Sequence, residues 1–341
     1  MQLTGSQHAC IVSRCPNEGE AVGARISPET RIGIVGTGAM GAHHARIAAS
    51  LPGCRLSGIF DTAIDRAESV ASQYQTIAYR SLAELCEHVE AVVIATPADT
   101  HAQLAGDCLQ AGMHVLLEKP IAASPEEAEG LLAISRQQSR VLMIGHVERF
   151  NPAFITLQSS LDPRDLFACD FQRLSATPGR DQSVDIIYDL MVHDLDLLLA
   201  LTDAPVAVQA ATGHRISGRN IDHASAVLCG ANGMTASLTA SAVSHARVRT
   251  GRFYTRYNQF TVDFAGRRLW VHRYDEAQSP PYATEEIPVP ASDPLAQEQA
   301  HFLQAIATGT PPATDADTAV KALRLAHAVQ SSVNEQLLVH A

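Results

Sequence analysis

The chain has 341 residues, 46% of them hydrophobic and 18% charged, enough for about two domains with packed cores. Its 25 Lys plus Arg face 36 Asp plus Glu, a formal charge of −11, which argues against a nucleic-acid binder. No apolar run approaches the ~20 residues that cross a bilayer, and only two of the basic residues are lysines, Lys119 and Lys321.

In residues 1–30 the apolar pair Ile11-Val12 is far too short for the apolar core of a secretory signal, and the segment is expected to form a flexible extension. The seven cysteines (Cys10, Cys15, Cys54, Cys86, Cys108, Cys169 and Cys229) are odd in number and include no C-x-x-C pair. That pattern predicts reduced thiols, no metal centre and a cytoplasmic protein.

From Arg31 onward, apolar runs alternate with helix-length amphipathic segments. Strands are predicted at Arg31–Val35, Leu56–Phe60, Ala91–Ala95, His114–Leu117 and Val141–His146. Helices are predicted at Ala39–Ser50, Ala63–Gln73, Ser81–Glu87, Thr100–Ala111 and Pro125–Gln137. Continuous apolar strands with such spacers predict an α/β, doubly wound parallel sheet covered on both faces, over residues 31–148. Residues 149–341 read as a second, α+β domain. Its strand-like runs are Leu166–Ala176, Val206–Thr212, Ser225–Leu228, Met234–Ala240, Gln259–Phe264 and Leu269–Arg273, and its closing helices are Pro294–Ala307 and Ala316–Leu338.

The turn after the first strand reads Gly36-Thr37-Gly38-Ala39-Met40-Gly41. Small residues there let the backbone turn tightly and approach a pyrophosphate at a helix N-terminus. Asp61, 20 residues beyond Gly41 and at the end of the second strand, suits hydrogen bonds to an adenosine ribose and repels a ribose phosphate. NAD, in preference to NADP, is the expected cofactor. The adjacent His43 and His44 cannot share a helical face and are read as ordinary helix residues near it.

Thr96-Pro97 and Glu118-Lys119-Pro120 end consecutive strands, where open α/β sheets bind ligands. Downstream, Asp189, His193 and Asp196 form D-x-x-x-H-x-x-D, whose spacing puts the three on one helical face. With the glycine turn, these strings resemble the glucose–fructose oxidoreductase/inositol dehydrogenase/rhizopine catabolism (Gfo/Idh/MocA) family. The resemblance runs from Arg31 to about Gln330. It implies a Rossmann domain followed by an open, mostly antiparallel sheet, packing of that sheet in a homodimer or tetramer, and Lys119 beside the nicotinamide. Cofactor contacts are carried over to Gly36–Gly41, Asp61, Thr96, Pro97, His101, Glu118 and Lys119. His193, oriented by Asp189, is expected to handle the hydroxyl proton together with Lys119. Which of the two accepts it is open.

The junction Gly145-His146-Val147-Glu148-Arg149-Phe150-Asn151-Pro152-Ala153 is similar to a branch of UDP-N-acetylglucosamine 3-dehydrogenases, whose product a partner aminotransferase aminates in lipid A or related glycans. Arg149 and Asn151 are substrate candidates on that ground; an internal ion pair is the other reading of Arg149. Separately, the forty residues between Asp222 and Asp263 hold no acid but contain Arg247, Arg249, Arg252 and Arg256. Guanidinium groups favour phosphate, so Arg247 and Arg249 are read as a site for a sugar nucleotide's diphosphate, against a solvated edge strand or subunit interface. A free sugar or cyclitol, a linear tetrapyrrole, and a non-catalytic nucleotide or sugar sensor are the competing readings.

Overall fold

The computed structural model describes residues 29–175, 185–216, 220–275, 277, 279 and 281–339. The expected extension up to residue 28, with Cys10 and Cys15, lies outside the described residues, as does Ala176 at the end of an expected strand.

Five short apolar runs pair in parallel: β1 (Thr30–Val35), β2 (Cys54–Phe60), β3 (Ala91–Ile94), β4 (His114–Glu118) and β5 (Leu142–Gly145), in the order β2-β1-β3-β4-β5. All four residues of β3 and of β5 are buried, because α1 (Ala39–Ala48), α2 (Ile64–Gln73), α3 (Leu82–Cys86), α4 (His101–Gln110) and α5 (Pro125–Gln138) cover both faces. Helix starts are encoded locally. The hydroxyls of Ser81 and Ser124 accept the backbone N–H of Glu84 and Glu127 at the heads of α3 and α5. The strand order reverses between β1 and β3, which opens a crevice at their carboxyl ends.

The second sheet has eight strands. They are β6 (Leu166–Leu174), β7 (Val206–His214), β8 (His223–Gly230), β9 (Thr235–Ser241), β10 (Val248–Thr255), β11 (Asn258–Asp263), β12 (Arg268–Tyr274) and β13 (Tyr282–Ile287). Their order is β13-β12-β11-β10-β6-β9-β8-β7, antiparallel throughout except for the β6–β9 pair. Two of these strands have no apolar alternation in sequence. The inward positions of β10 are Arg249, Gly251, Phe253 and Thr255, and β13 is an acidic edge strand. The inner face packs on α7 (Val192–Leu199), with Phe171 and Phe253 meeting edge to face at 5.3 Å. Such fully buried apolar side chains each contribute about 1.5–3 kcal/mol. The short α6 (Pro152–Ser160), capped by Asn151, links the two sheets.

Two closing helices tie the sheets together. Phe302 and Leu303 of α8 (Pro294–Thr308) join the core on one face of the first sheet. Early residues of α9 (Ala316–Val339) pack on the opposite face, while Leu325, Val329 and Val333 enter the core of the second sheet. Lys321 is exposed on α9. Among the described residues no helix is long and apolar enough to cross a membrane.

Candidate active site

A cavity of about 1050 Å³ lies between the carboxyl ends of the first sheet and the inner face of the second. Its first end is made by the glycine turn. Gly36 has φ +88°, and a Cβ there would sit 2.6 Å from the Ala95 carbonyl oxygen. A Cβ at Gly41 would lie 1.8 Å from the Gly36 oxygen, so only glycine lets α1 approach β1 this closely. At Gly38 a Cβ would meet nothing within 4 Å, and the first turn of α1 carries no acidic side chain. An open cradle beneath unfilled helix N–H groups fits a pyrophosphate.

Gly36, Gly38, Ala39, Met40 and Asp61 line this end, while Thr37 and Gly41 stand behind it. The Thr37 amide and hydroxyl both donate to Asp61 Oδ2 at 2.7 Å, and the Ala63 amide and Arg66 donate to Oδ1 at 2.8 Å. Burial alone would raise the Asp61 pKa; these donors outweigh it and hold the carboxyl at about 2. Arg66 also lines the cavity and carries no sequence signal of its own.

Thr96 and Pro97 line the next stretch, with the Thr96 and Thr100 hydroxyls 2.7 Å apart. His101 is buried behind them. Its Nδ1 lies 2.7 Å from the Pro120 carbonyl and its Nε2 3.0 Å from that of Thr96, so it links the two turns without lining the cavity. Glu118 and Lys119 both line it. Lys119 Nζ donates to the Asp189 carbonyl oxygen at 2.7 Å and to the Asp189 carboxylate at 3.3 Å.

That contact corrects the expected Asp189–His193 pairing. Residues Ile187–Met191 form a π-helical turn ahead of α7, so the regular four-residue spacing does not hold there. The Asp189 carboxylate reaches Lys119, while among the described residues the buried His193 Nδ1 has no hydrogen-bond partner. Asp196 is buried elsewhere, in a two-point ion pair with Arg149 at 2.7 and 3.1 Å. His193 itself lines the cavity. Burial, then the Lys119 and Arg173 charges, hold its pKa well below the ordinary histidine range.

Of the expected substrate residues, Arg247 and Arg249 line the cavity, whereas Arg149 and Asn151 do not. Arg149 is engaged with Asp196. Asn151 caps α6, accepting from the Ala153 amide and donating to Glu148 and to the Phe264 carbonyl. Arg252 faces the other side of β10, where it pairs with Asp170 at 2.9 Å. Arg249 donates to the carbonyls of Leu174 and Val248, and among the described residues no carboxylate is hydrogen-bonded to it. Burial, together with the charges of Arg173 and Arg247, lowers its pKa to about 10.

Arg173 and Glu148 also line the cavity and were not anticipated. Arg173 is buried and donates to Glu148 at 2.8 Å and to Asp194 at 2.7 Å. Its signal was present in period two, since it shares the inward phase of β6 with Cys169 and Phe171. His44 is likewise buried, 2.9 Å from Glu118.

Residues 30–146 match the family described as an oxidoreductase family with an NAD-binding Rossmann fold, and residues 171–263 match the GFO/IDH/MocA C-terminal domain. The chain belongs to the Gfo/Idh/MocA oxidoreductases. It is 36% identical to the UDP-N-acetylglucosamine 3-dehydrogenase of Acidithiobacillus ferrooxidans, over 82% of this chain and 90% of that protein. A solved structure of the enzyme of that name from the same organism superposes with a TM-score of 0.84 at 33% identity, covering 90% of this chain and 98% of the other. The inositol 2-dehydrogenase of Rhodococcus erythropolis is 32% identical over 52% of this chain and 54% of its own length. As an oxidoreductase of this family the chain takes NAD, and the glycine turn supplies the geometry for it.

Proposed function

We propose that the chain oxidises the 3-hydroxyl of UDP-N-acetylglucosamine to a ketone with NAD. One observation carries the reading: the cavity that holds Lys119 and His193 also holds Arg247 and Arg249, with no carboxylate hydrogen-bonded to Arg249 among the described residues. An arginine with no carboxylate hydrogen-bonded to it and with two like charges beside it suits an anion, and a diphosphate matches it. The length of the similarity to the UDP-N-acetylglucosamine 3-dehydrogenase, 82% of the chain against 52% for an inositol dehydrogenase, supports the same substrate.

NAD, when bound, supplies the hydride acceptor. The glycine turn and the N-terminus of α1 would hold its pyrophosphate, and Asp61 would take its ribose hydroxyls. An ammonium has three donors. Asp189 engages Lys119 at two oxygens, which aims Nζ and leaves a donor for the sugar oxygen. Lys119 thereby stabilises negative charge as it develops there. His193, neutral because of its burial and cationic neighbours, accepts the hydroxyl proton. Arg249 is among those neighbours, so a diphosphate seated on it offsets its charge and raises the imidazole's affinity for the proton.

A ketone is the substrate class of an aminotransferase, and the similarity to a UDP-N-acetylglucosamine 3-dehydrogenase supports reading the reaction as a cytoplasmic step ahead of amination in lipid A or a related glycan. Exposed Phe167 and Val227 on the outer face of the second sheet support packing against another copy, to be checked by light scattering in solution. The function is tested by following NADH formation with UDP-N-acetylglucosamine, free N-acetylglucosamine and myo-inositol, with an aminotransferase added to draw off the ketone. Turnover confined to the sugar nucleotide is expected. Turnover with a free sugar or myo-inositol and none with sugar nucleotides overturns the reading.

A further inference from the structure

Behind the active site lies a buried acid for which the proposed chemistry has no use. Glu298 on α8 is 0% exposed, and among the described residues no group donates a hydrogen bond to either of its carboxyl oxygens. It shares a cluster with Glu118 on β4 and His44 on α1, with one ligand atom from each lying within 4.8 Å of the others. Other groups bear on it from every side. Asp196 comes from α7; Arg149 and His146, after β5, approach Asp196 at 2.7 and 3.9 Å. Lys119 follows Glu118 on the chain. On α8 itself, Gln299 is buried and His301 packs against Phe150.

The hydrogen bonds say what the cluster holds. Gln299 Nε2 donates to the His44 carbonyl at 3.1 Å and to His44 Nδ1 at 2.9 Å. The carbonyl contact fixes which end of the amide points there, so Nδ1 is the accepting nitrogen and Nε2 carries the hydrogen. Nε2 then donates to Glu118 Oε1 at 2.9 Å. A divalent cation bound by all three side chains needs the Nε2 lone pair, which this pattern does not offer. A proton on Glu298 breaks nothing, and it removes one of two like charges facing each other in a dry interior. Burial, reinforced by the charges of Glu118 and Asp196, pushes the Glu298 carboxyl well above its ordinary range.

We propose that Glu298 is a positioning residue for Lys119, standing as a neutral carboxylic acid that donates to Glu118. The Glu118 carboxylate already takes the His44 hydrogen on Oε1 and the Lys119 backbone N–H on Oε2, the latter at 3.3 Å. A third donor fixes it between the helix that follows the glycine turn and the end of β4, directly before Lys119. The proposal rests on Lys119 being catalytic.

The test uses the full chain and compares wild type, Glu298→Gln and Glu298→Ala. Glutamine keeps a donor and cannot ionise. With whichever substrate is turned over, Glu298→Gln should keep kcat within about twofold at neutral pH, while Glu298→Ala loses about tenfold or more in kcat with little change in NAD affinity. A second readout needs no substrate. The folded wild type retains a proton that the unfolded chain gives up above the ordinary glutamate range. Its stability from this group is therefore full at low pH and falls as pH rises toward the raised pKa. The Tm advantage of Glu298→Gln should be absent near pH 5 and grow toward about pH 9. If Glu298→Ala does not fold, this thermal comparison decides the protonation, and it stands even if the sugar-nucleotide reading fails. A pH-independent Tm difference, Glu298→Gln as slow as Glu298→Ala, full kcat in Glu298→Ala, or a stoichiometric divalent metal in the purified protein overturns the proposal.

Discussion

The two ends of the cavity are built in opposite ways. The cofactor end is largely backbone: a glycine turn, a free helix N-terminus and two further turns, each a contiguous string of sequence. The substrate end is side chain. Arg173 on β6, His193 on α7 and Arg247 and Arg249 at β10 come from distant parts of the chain and crowd charge into a partly dry space. A backbone cradle tolerates exchange of its neighbours so long as glycine is kept where no Cβ fits. A charged cluster is cooperative, because removing one member leaves the others desolvated and unpaired.

This contrast fixes the order of the expected effects. Lys119→Met should lower kcat by about 10³-fold or more while NAD binding, followed by fluorescence titration, stays within a few fold. Near-normal turnover in that protein removes Lys119 from the chemistry. His193→Asn should cost about 10²–10⁴ in kcat. In the wild type, the acid limb of kcat/KM, which reports free enzyme, should lie below the ordinary histidine value near pH 6.5. The limb of kcat should lie higher, because bound diphosphate relieves the cationic neighbours; coincident limbs would break that link.

The cluster itself comes next. Arg173→Met should destabilise by about 3–5 kcal/mol, read by denaturant unfolding, because Glu148 and Asp194 lose their shared partner. Arg249→Met removes a cation from a crowded group, not a member of an ion pair. It should raise KM for the sugar nucleotide about tenfold or more, cost little stability, and leave a free-sugar side reaction, if measurable, unchanged. The cofactor end should show the smallest effect on turnover. Asp61→Asn forfeits a carboxyl held at about 2 against the ordinary aspartate value of 3.8, a difference equivalent to about 2 kcal/mol. The lowered pKa means that this stability is present above about pH 4 and is lost as pH falls toward 2, so the wild-type advantage in unfolding should vanish in acid. The same change should erode the preference for NAD over NADP.

The contrast also explains what was legible in the sequence. Gly36–Gly41, Thr96-Pro97 and Glu118-Lys119 are contiguous, and their residue types state their geometry. His193 was legible for the same reason. The role of Asp189 was not, since its neighbours fold as a π-helical turn and the four-residue rule that paired it with His193 fails. Arg149 and Arg173 show the complementary difficulty. Both are arginines near the junction or the sheet, and only burial separates the one locked to Asp196 away from the cavity from the one lining it between Glu148 and Asp194. β10 was invisible as a strand because its inward positions include Arg249, which lines the cavity, and Gly251, where a Cβ would sit 2.9 Å from the Phe253 ring.

The position of β6 has a consequence for how the molecule is assembled. Both of its partners lie far along the chain, as in the pairs Ala168↔Thr235 and Leu174↔Val248. The strands β7–β8–β9 and β10–β11–β12–β13 can each pair with sequence neighbours, but the strand that joins the two groups has no local partner. Closing it requires long loops, which slows folding relative to local pairing. Pulsed hydrogen exchange during refolding should therefore protect amides of β8 and β12 before those of β6; simultaneous protection would refute the sequence of events. Arg173 sits on that joining strand, so the substrate end of the cavity comes into being only when the whole sheet has closed. Chains halted before that step would carry a cradle for the nucleotide and no place for the sugar.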